Sequence, residues 1–218
     1  AHDDAVRVLL GMIAKTAAMH DRIIKPILSL FDGHHVRVSV LIKTSKEAAS
    51  NFQEQLGYRL RTKDVPYKFI KYPSADQIKL ASGPLWIGPL MDKEIAGRLT
   101  EECAIQTCLP TSDELEELIA KGLAWSDKDV EYATREMIRS VKHISSAADL
   151  LSRQHMLLSL NSMPRLAGTK GAPKMDDVIS DLIELGYSAA RYPDMEPMFV
   201  TDASFDDVIS IFRKYHYD

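Results

Sequence analysis

The sequence predicts an α/β unit over residues 1–100 followed by a mostly helical α+β unit over residues 101–218. Three observations carry that division. A helical apolar period over residues 3–19 runs into two β-branched segments, and the octapeptide GPLWIGPL at residues 83–90 sets an apolar run between two Gly-Pro pairs. Past Asp92 the pattern turns to successive helices with their own capping residues.

The first helix places Val6, Leu9, Leu10, Ile13, Ala14, Ala17 and Ala18 on one face, with Asp3 and Asp4 at its positive end. Its alanines permit close packing on a sheet. Residues 23–30 and 36–42 have the β-branched alternation of paired strands, joined through Phe31, Asp32, Gly33 and His34. Ser45 opens a short helix expected to reach Leu56 and to stop at Gly57. Strands are then expected at residues 58–60, 67–72 and 84–87. In the last of these, each Gly-Pro pair forces a bend, because proline has no amide hydrogen and glycine accepts positive φ.

The second unit begins with helices. Thr111 and Glu114 form a capping box for a helix ending near Gly122, and Ser126 caps another running towards Ser145. Residues 147–160 continue the helical period. The stretch MPRLAGTKGAPK, residues 163–174, reads as an exposed loop rich in proline, glycine and cations. A helix over residues 175–185, a β ribbon formed by residues 188–191 and 198–201, and a closing helix over residues 205–215 complete the chain.

Composition narrows the function classes. With 218 residues, 45% hydrophobic and 27% charged, the chain has the make-up of a globular protein, and no apolar run approaches a membrane span. A cytoplasmic location is expected, with no membrane partner. Cys103 and Cys108 lack flanking histidines or a second pair, so the expectation is buried thiols with no disulfide framework and no metal site. A net charge of −4 disfavours a DNA-binding winged helix, yet it leaves room for a local basic face that grips RNA.

The octapeptide GPLWIGPL resembles the G-P-(L/I/V)-W-x-G-x-L motif of the archaeal and eukaryotic tRNA (guanine-26-N2)-dimethyltransferases. Two further blocks resemble the same family in the same order. AHDDAVRVLLGMIAKTAAMHD is similar to its C-H-E-x-G-x-R-I-L-x-G-x-I-A-R-x-A-A-x-x-D helix, keeping His2, Arg7, Gly11 and Asp21 among others. It continues into ILSLFDGHHVRVSV, where His34, His35, Val36 and Arg37 stand at the family's H-(Y/F)-(V/F)-R. ELGYSAARYPDMEPMFVTDA looks like the closing G-Y-x-x-(S/T)-R-T-H-F-x-P-x-G-(I/L)-(K/R)-T-(D/N)-A through Gly186, Tyr187, Arg191, Thr201, Asp202 and Ala203. Tyr192, Pro193 and Asp194 replace Thr-His-Phe there, and Val200 replaces a basic residue. The resemblance spans nearly the whole chain and is thinnest over residues 101–175.

That resemblance implies the closing helix and antiparallel strands of a class I methyltransferase-like sheet, followed by a carboxy-terminal domain that grips tRNA. It implies S-adenosylmethionine as cofactor of the full-length parent. The cofactor's glycine-bearing turn, the ribose-binding acid and the Asp-Pro-Phe-type catalytic loop precede the Cys-His-Glu block in the family, and none occurs in this chain. The expectation is therefore the carboxy-terminal portion of a longer enzyme, working with an upstream methyltransferase half and binding no cofactor alone. The alternative is a noncatalytic RNA-binding or scaffold protein derived from that family.

No catalytic residue is assigned. The tRNA-binding candidates are Arg7, His34, Arg37, Arg165, Lys170, Lys174 and Arg191. Competing structural roles are pairing of Arg7 and Arg37 with Asp3, Asp21 or Asp32, and a local hydrogen bond for His34. Arg135, Arg139, Lys142 and His143 recur at helical spacing, either as a phosphate-contacting face or as a solvated face balanced by neighbouring acids. Trp86 and Trp125 have the chemistry to stack on bases, with core packing the stronger expectation for Trp86.

Overall fold

A computed structural model describes residues 2–31, 35–60, 68–122, 126–155, 157–192 and 197–215. Helix α1 (His2–Ala18) carries Asp3 and Asp4 in its first turn and Lys15 in its last, the polarity its macrodipole favours. Its buried residues Val6, Leu10, Ala14 and Ala17 form one continuous face. Gly11 lets that face come close to the sheet: a Cβ there would lie 3.4 Å from the Trp86 amide nitrogen.

Strands β1 (Arg22–Phe31) and β2 (Val36–Thr44) pair antiparallel from Arg22↔Thr44 to Phe31↔Val36, with a bulge between Pro26 and Leu28. The bulge falls where Pro26 has no amide hydrogen to give. The turn expected at Asp32, Gly33 and His34 lies outside the described residues.

Ser45 caps α2 (Lys46–Ser50) through its side chain, as expected, but the helix ends earlier than its sequence suggested. A 3-10 turn over Phe52–Gln55 leads straight into β3 (Leu56–Leu60). Gly57 is therefore a strand residue and no helix stop. A Cβ on it would meet the Ile70 carbonyl oxygen and Ile87 Cγ2 at 2.9 Å each, so glycine is required by close packing inside the sheet. Strand β4 (Lys68–Ile70), helix α3 (Ala75–Ile78) and strand β5 (Ala81–Trp86) follow, giving an antiparallel sheet in the order β4-β3-β5.

Helices α4 (Lys93–Ala96), α5 (Glu101–Cys108), α6 (Ser112–Ala120) and α7 (Asp127–Leu151) form the next stretch. The capping box of Thr111 and Glu114 starts α6, and Ser126 caps α7 with Asp129 closing the box. Cys103 and Cys108 are exposed rather than buried, because α5 buries none of its residues. The helical period expected over residues 147–160 breaks at Leu151, and Leu158–Ser159 becomes strand β6.

Residues 163–174 also differ from the expected exposed loop. After a 3-10 turn at Leu160–Ser162, Met163–Ala167 is helix α8, with Pro164 in its first turn and Gly168 at φ 76° beyond its end. Met163 and Ala167 are core residues, so the apolar half of the segment is buried and its cations point outward. Helix α9 (Met175–Glu184), strands β7 (Ala189–Tyr192) and β8 (Met198–Thr201) and helix α10 (Phe205–Lys214) match the expected closing unit, with sheet order β6-β8-β7.

Helices and antiparallel sheets thus make up the expected mixed fold. One core joins Val6, Leu10 and Ala14 to Trp86, to Ala147 and Leu151 of α7, and to Val200. A second core lies under α8, α9 and α10, around Met163, Val178, Phe199 and Phe212. Trp86 is 4% exposed, and its indole donates to the Pro89 carbonyl at 2.8 Å, so it packs in the core with its one donor satisfied. Trp125 lies outside the described residues. Trp86→Ala is expected to lower the unfolding free energy by about 3–5 kcal/mol in urea titrations, the usual cost of truncating a buried aromatic.

Candidate nucleic-acid interface

Arg7 is fully buried. Its Nε donates to Asp3 Oδ1 at 2.7 Å, one turn earlier on α1, and its terminal nitrogens donate to the carbonyls of Trp86 at 3.2 Å, Gly88 at 3.3 Å and His155 at 2.6 Å. The Phe69 ring lies 4.6 Å from its guanidinium carbon. Burial lowers the Arg7 pKa from its ordinary value, and the Asp3 carboxylate opposes that shift. A guanidinium so enclosed has no surface to offer a phosphate, so Arg7 leaves the RNA-facing set and takes the structural role, with Asp3 as its partner. Arg59, which sequence reasoning missed, completes the cluster by pairing with Asp3 and, at 2.9 Å, with Asp4. Its partners lie more than fifty residues away in the chain, beyond the reach of any local pattern.

The other candidates fall on different elements. Arg37 is exposed on β2, opposite Leu30. His34 lies outside the described residues. Arg165, in the last turn of α8, and Lys170 and Lys174, in the segment leading to α9, are exposed and make no ion pair with any described residue. Arg191 on β7 is partly exposed and pairs with Asp176, whose side chain is 81% exposed. Asp176 stands in the first turn of α9, two positions after Lys174, so Lys174 and Arg191 share one neighbourhood. Arg213 joins the α8 end of the group, its Nε donating to the Ala167 carbonyl at 3.3 Å. No motif had singled it out, although a cation in the last turn of a helix is a common partner for free carbonyls.

Position 200, where the resemblance puts a cation, is buried completely in this chain. Val200 sits in the shared core, and its identity removes no surface contact. Tyr192, another departure from the closing motif, donates its hydroxyl to the Ser29 carbonyl at 2.8 Å and ties β7 to β1.

The cations of α7 are mostly spoken for. Arg139 pairs with Glu136, Lys142 with Glu101 at 3.1 Å, and Arg135 stacks over the Tyr132 ring. That is the solvated, balanced face. His143 is half-buried between this face and the Arg191–Asp176 pair.

S-adenosylmethionine finds no match in the described residues. Every strand pairing among them is antiparallel, and the positive-φ glycines Gly122, Gly168 and Gly186 follow helices, while Gly83 lies inside β5. None leads from a strand into a helix, the turn a dinucleotide-like cofactor requires. No cluster of histidine, cysteine or carboxylate side chains suited to a metal occurs among the described residues, and no helix among them is long and apolar enough to cross a membrane.

Comparisons with known proteins agree on one family. Residues 1–154 match the family model for N2,N2-dimethylguanosine tRNA methyltransferase. A tRNA (guanine(26)-N(2))-dimethyltransferase of Pyrobaculum calidifontis is 34% identical over 129 residues, covering 59% of this chain and 34% of its own length. The enzyme of the same description from Thermococcus kodakarensis is 25% identical over 214 residues, or 97% of this chain and 48% of the relative. A solved structure, that of Trm1 from Pyrococcus horikoshii in complex with S-adenosyl-L-methionine, shares the fold with a TM-score of 0.67 at 24% identity, over 96% of this chain and 49% of that one. The chain spans half or less of the length of these relatives.

Burial, and then the nearby cations Arg191 and Arg139, depress the His143 pKa below its ordinary value of 6.5. Burial also depresses that of His155. A depressed histidine pKa means that the unfolded chain takes up the proton first, so stability is complete above pH 6.5 and declines as pH falls below it. The urea midpoint is expected to drop between about pH 7.5 and about pH 5.5, and His143→Gln to flatten part of that drop.

Proposed function

We propose, since this chain belongs to the N2,N2-dimethylguanosine tRNA methyltransferase family, that it supplies the tRNA-binding portion and the closing strands of such an enzyme. Its parent transfers methyl groups from S-adenosylmethionine to the exocyclic amine of a tRNA guanine in the cytoplasm. The upstream half of the protein provides the cofactor turn and the catalytic loop, and this chain holds and orients the RNA. Residues 1–100 complete the methyltransferase-like domain and residues 101–218 form the tRNA-binding domain.

The observation that carries this reading is the cationic run Arg165, Lys170 and Lys174, exposed and without ion-pair partners among the described residues of an acidic protein. Unpaired surface cations are free to neutralise phosphates and release their counterions. Arg191 adds a fourth, because its pair with exposed Asp176 is a surface pair of small worth that a phosphate would replace. Backbone contacts of this kind fix register on the RNA and leave the choice of base to other groups.

Two measurements test the reading. In gel-shift titrations with an unmodified tRNA transcript, affinity is expected to fall steeply with salt, and the Lys170→Gln/Lys174→Gln double variant to flatten the log-log slope by about one to two units. Unchanged slopes, with no preference for folded tRNA over unstructured RNA, would remove the tRNA-binding assignment. Calorimetry of this chain with S-adenosylmethionine at about millimolar concentration, which would saturate an ordinary cofactor site, is expected to give no saturable heat. A one-to-one isotherm would place the cofactor site here.

A further inference from the structure

A cleft with a volume of about 770 Å³ opens between β1, α2 and the 3-10 turn on one side and the α4 region on the other. That size falls in the range of about 300–1,000 Å³ typical of small-molecule sites. Phe52 lines it beside the buried Pro26 and Trp86, and the Trp86 ring is held in place by the bond of its indole to the Pro89 carbonyl. Phe52, only partly buried, is the ring against which a flat molecule can pack.

The charged groups in the cleft are largely paired, with one another or with neighbours outside it. Lys25 pairs with Asp92, Lys93 with Asp149, Glu54 with Lys71 and Glu94 with Arg98 at the rim. Asp92 is also fixed by accepting the Ile95 amide at 2.9 Å, as the cap of α4. Glu47 alone keeps an uncommitted carboxylate. A phosphate or carboxylate ligand would find no free cation inside and one free negative charge, so the interior favours a neutral molecule.

Two side-chain amides remain available. Gln55 is exposed, lines the cleft and has neither its amide oxygen nor its amide nitrogen bonded to a described residue. Asn51 spends its nitrogen on the Glu47 carbonyl at 3.3 Å and keeps its oxygen. A primary amide offers a donor and an acceptor side by side, which matches the donor and acceptor edge of a nucleobase and of adenine above all.

We propose that this cleft receives an unstacked nucleobase of the bound RNA, adenine foremost, packed against the Phe52 ring above the buried Trp86 and read by the amides of Gln55 and Asn51. The proposal rests on the RNA-binding reading above. It concerns a base other than the methylated guanine, whose pocket the family resemblance puts with the Asp-Pro loop that this chain lacks. Phosphates bound by Arg165, Lys170 and Lys174 carry no sequence information; a base held in this cleft would supply some.

The test uses the whole chain with Trp125→Phe, which leaves Trp86 as the sole indole. Adenosine, guanosine, cytidine and uridine are titrated separately while Trp86 fluorescence is followed. Saturable quenching is expected, strongest with adenosine, and weakened about tenfold by Gln55→Ala, the loss that one bidentate pair predicts. Gln55 is exposed, so its truncation leaves the packing in place; Phe52→Ala should weaken binding through lost stacking, with the urea midpoint reporting any loss of fold. In tRNA gel shifts, Gln55→Ala should reduce affinity at an unchanged salt slope, because a base contact releases no counterions, in contrast to the lysine double variant. If tRNA binds with the lysine-dependent slope but no nucleoside quenches Trp86 and Gln55→Ala binds like wild type, the cleft proposal fails and the RNA grip stands. If tRNA does not bind yet quenching depends on Gln55, the grip fails and the cleft remains a nucleobase site. Gln55-dependent quenching with full tRNA affinity in Gln55→Ala overturns the RNA as the source of the base.

Discussion

The buried guanidinium of Arg7 is the interaction on which the arrangement of this protein depends. Removing a cation from water is costly unless a carboxylate and several acceptors replace the solvent, and Asp3 with three backbone carbonyls does so. Those carbonyls come from the tryptophan and the second glycine of the GPLWIGPL octapeptide and from the segment after α7. The octapeptide thus gives α1 two acceptors, the Trp86 and Gly88 oxygens. Asp3, Asp4 and Arg59 form the rest of the cluster, so a single set of charges sets the position of α1 on the sheet and the place where α7 ends. A hydrophobic replacement of similar size would pack, but it would not specify which carbonyls belong together.

Where the physics is local, the sequence was readable. The α1 face, the β1–β2 hairpin, the capping boxes of α6 and α7 and the final helix, ribbon and helix depend on residues a few positions apart, and they appear nearly where periodicity and capping placed them. Where tertiary contacts decide, it was not. Gly57 looks like a helix stop until Ile70 and Ile87 close around it. Residues 163–174 look like an open loop because proline, glycine and lysine dominate, yet Met163 and Ala167 are enough to bury a helical turn against α10. Cys103 and Cys108 look like core thiols, but α5 touches the rest of the chain too lightly to bury them.

The site was legible to a similar extent and for the same reason. Arg165, Lys170 and Lys174 could be picked out as surface cations because their local composition predicts exposure. For Arg7 the local pattern offered only the pair with Asp3, four residues away; its burial depends on backbone acceptors 79, 81 and 148 residues away. The amides of Gln55 and Asn51 gave no signal at all. Polar residues in a short turn are ordinary, and only the cleft around them gives them meaning.

The two cores meet in strand β8, which explains how a surface at one end of the chain can be positioned relative to the other. All four residues of β8 are buried, with Met198 and Val200 in the core shared with α1 and Phe199 in the core under α8, α9 and α10. Successive side chains of a strand point to opposite faces, so this short strand locks both cores together. The Tyr192 hydroxyl, donated to Ser29, adds a second tie between β7 and β1. A cation at position 200 would have to be buried between the cores, and valine fits that place better than a charge. The exposed cations stand on the outer side of this junction, on α8, on the segment before α9 and on β7. The grip on RNA proposed for these cations would therefore be coupled, through packed side chains, to α1 and the β1–β2 pair.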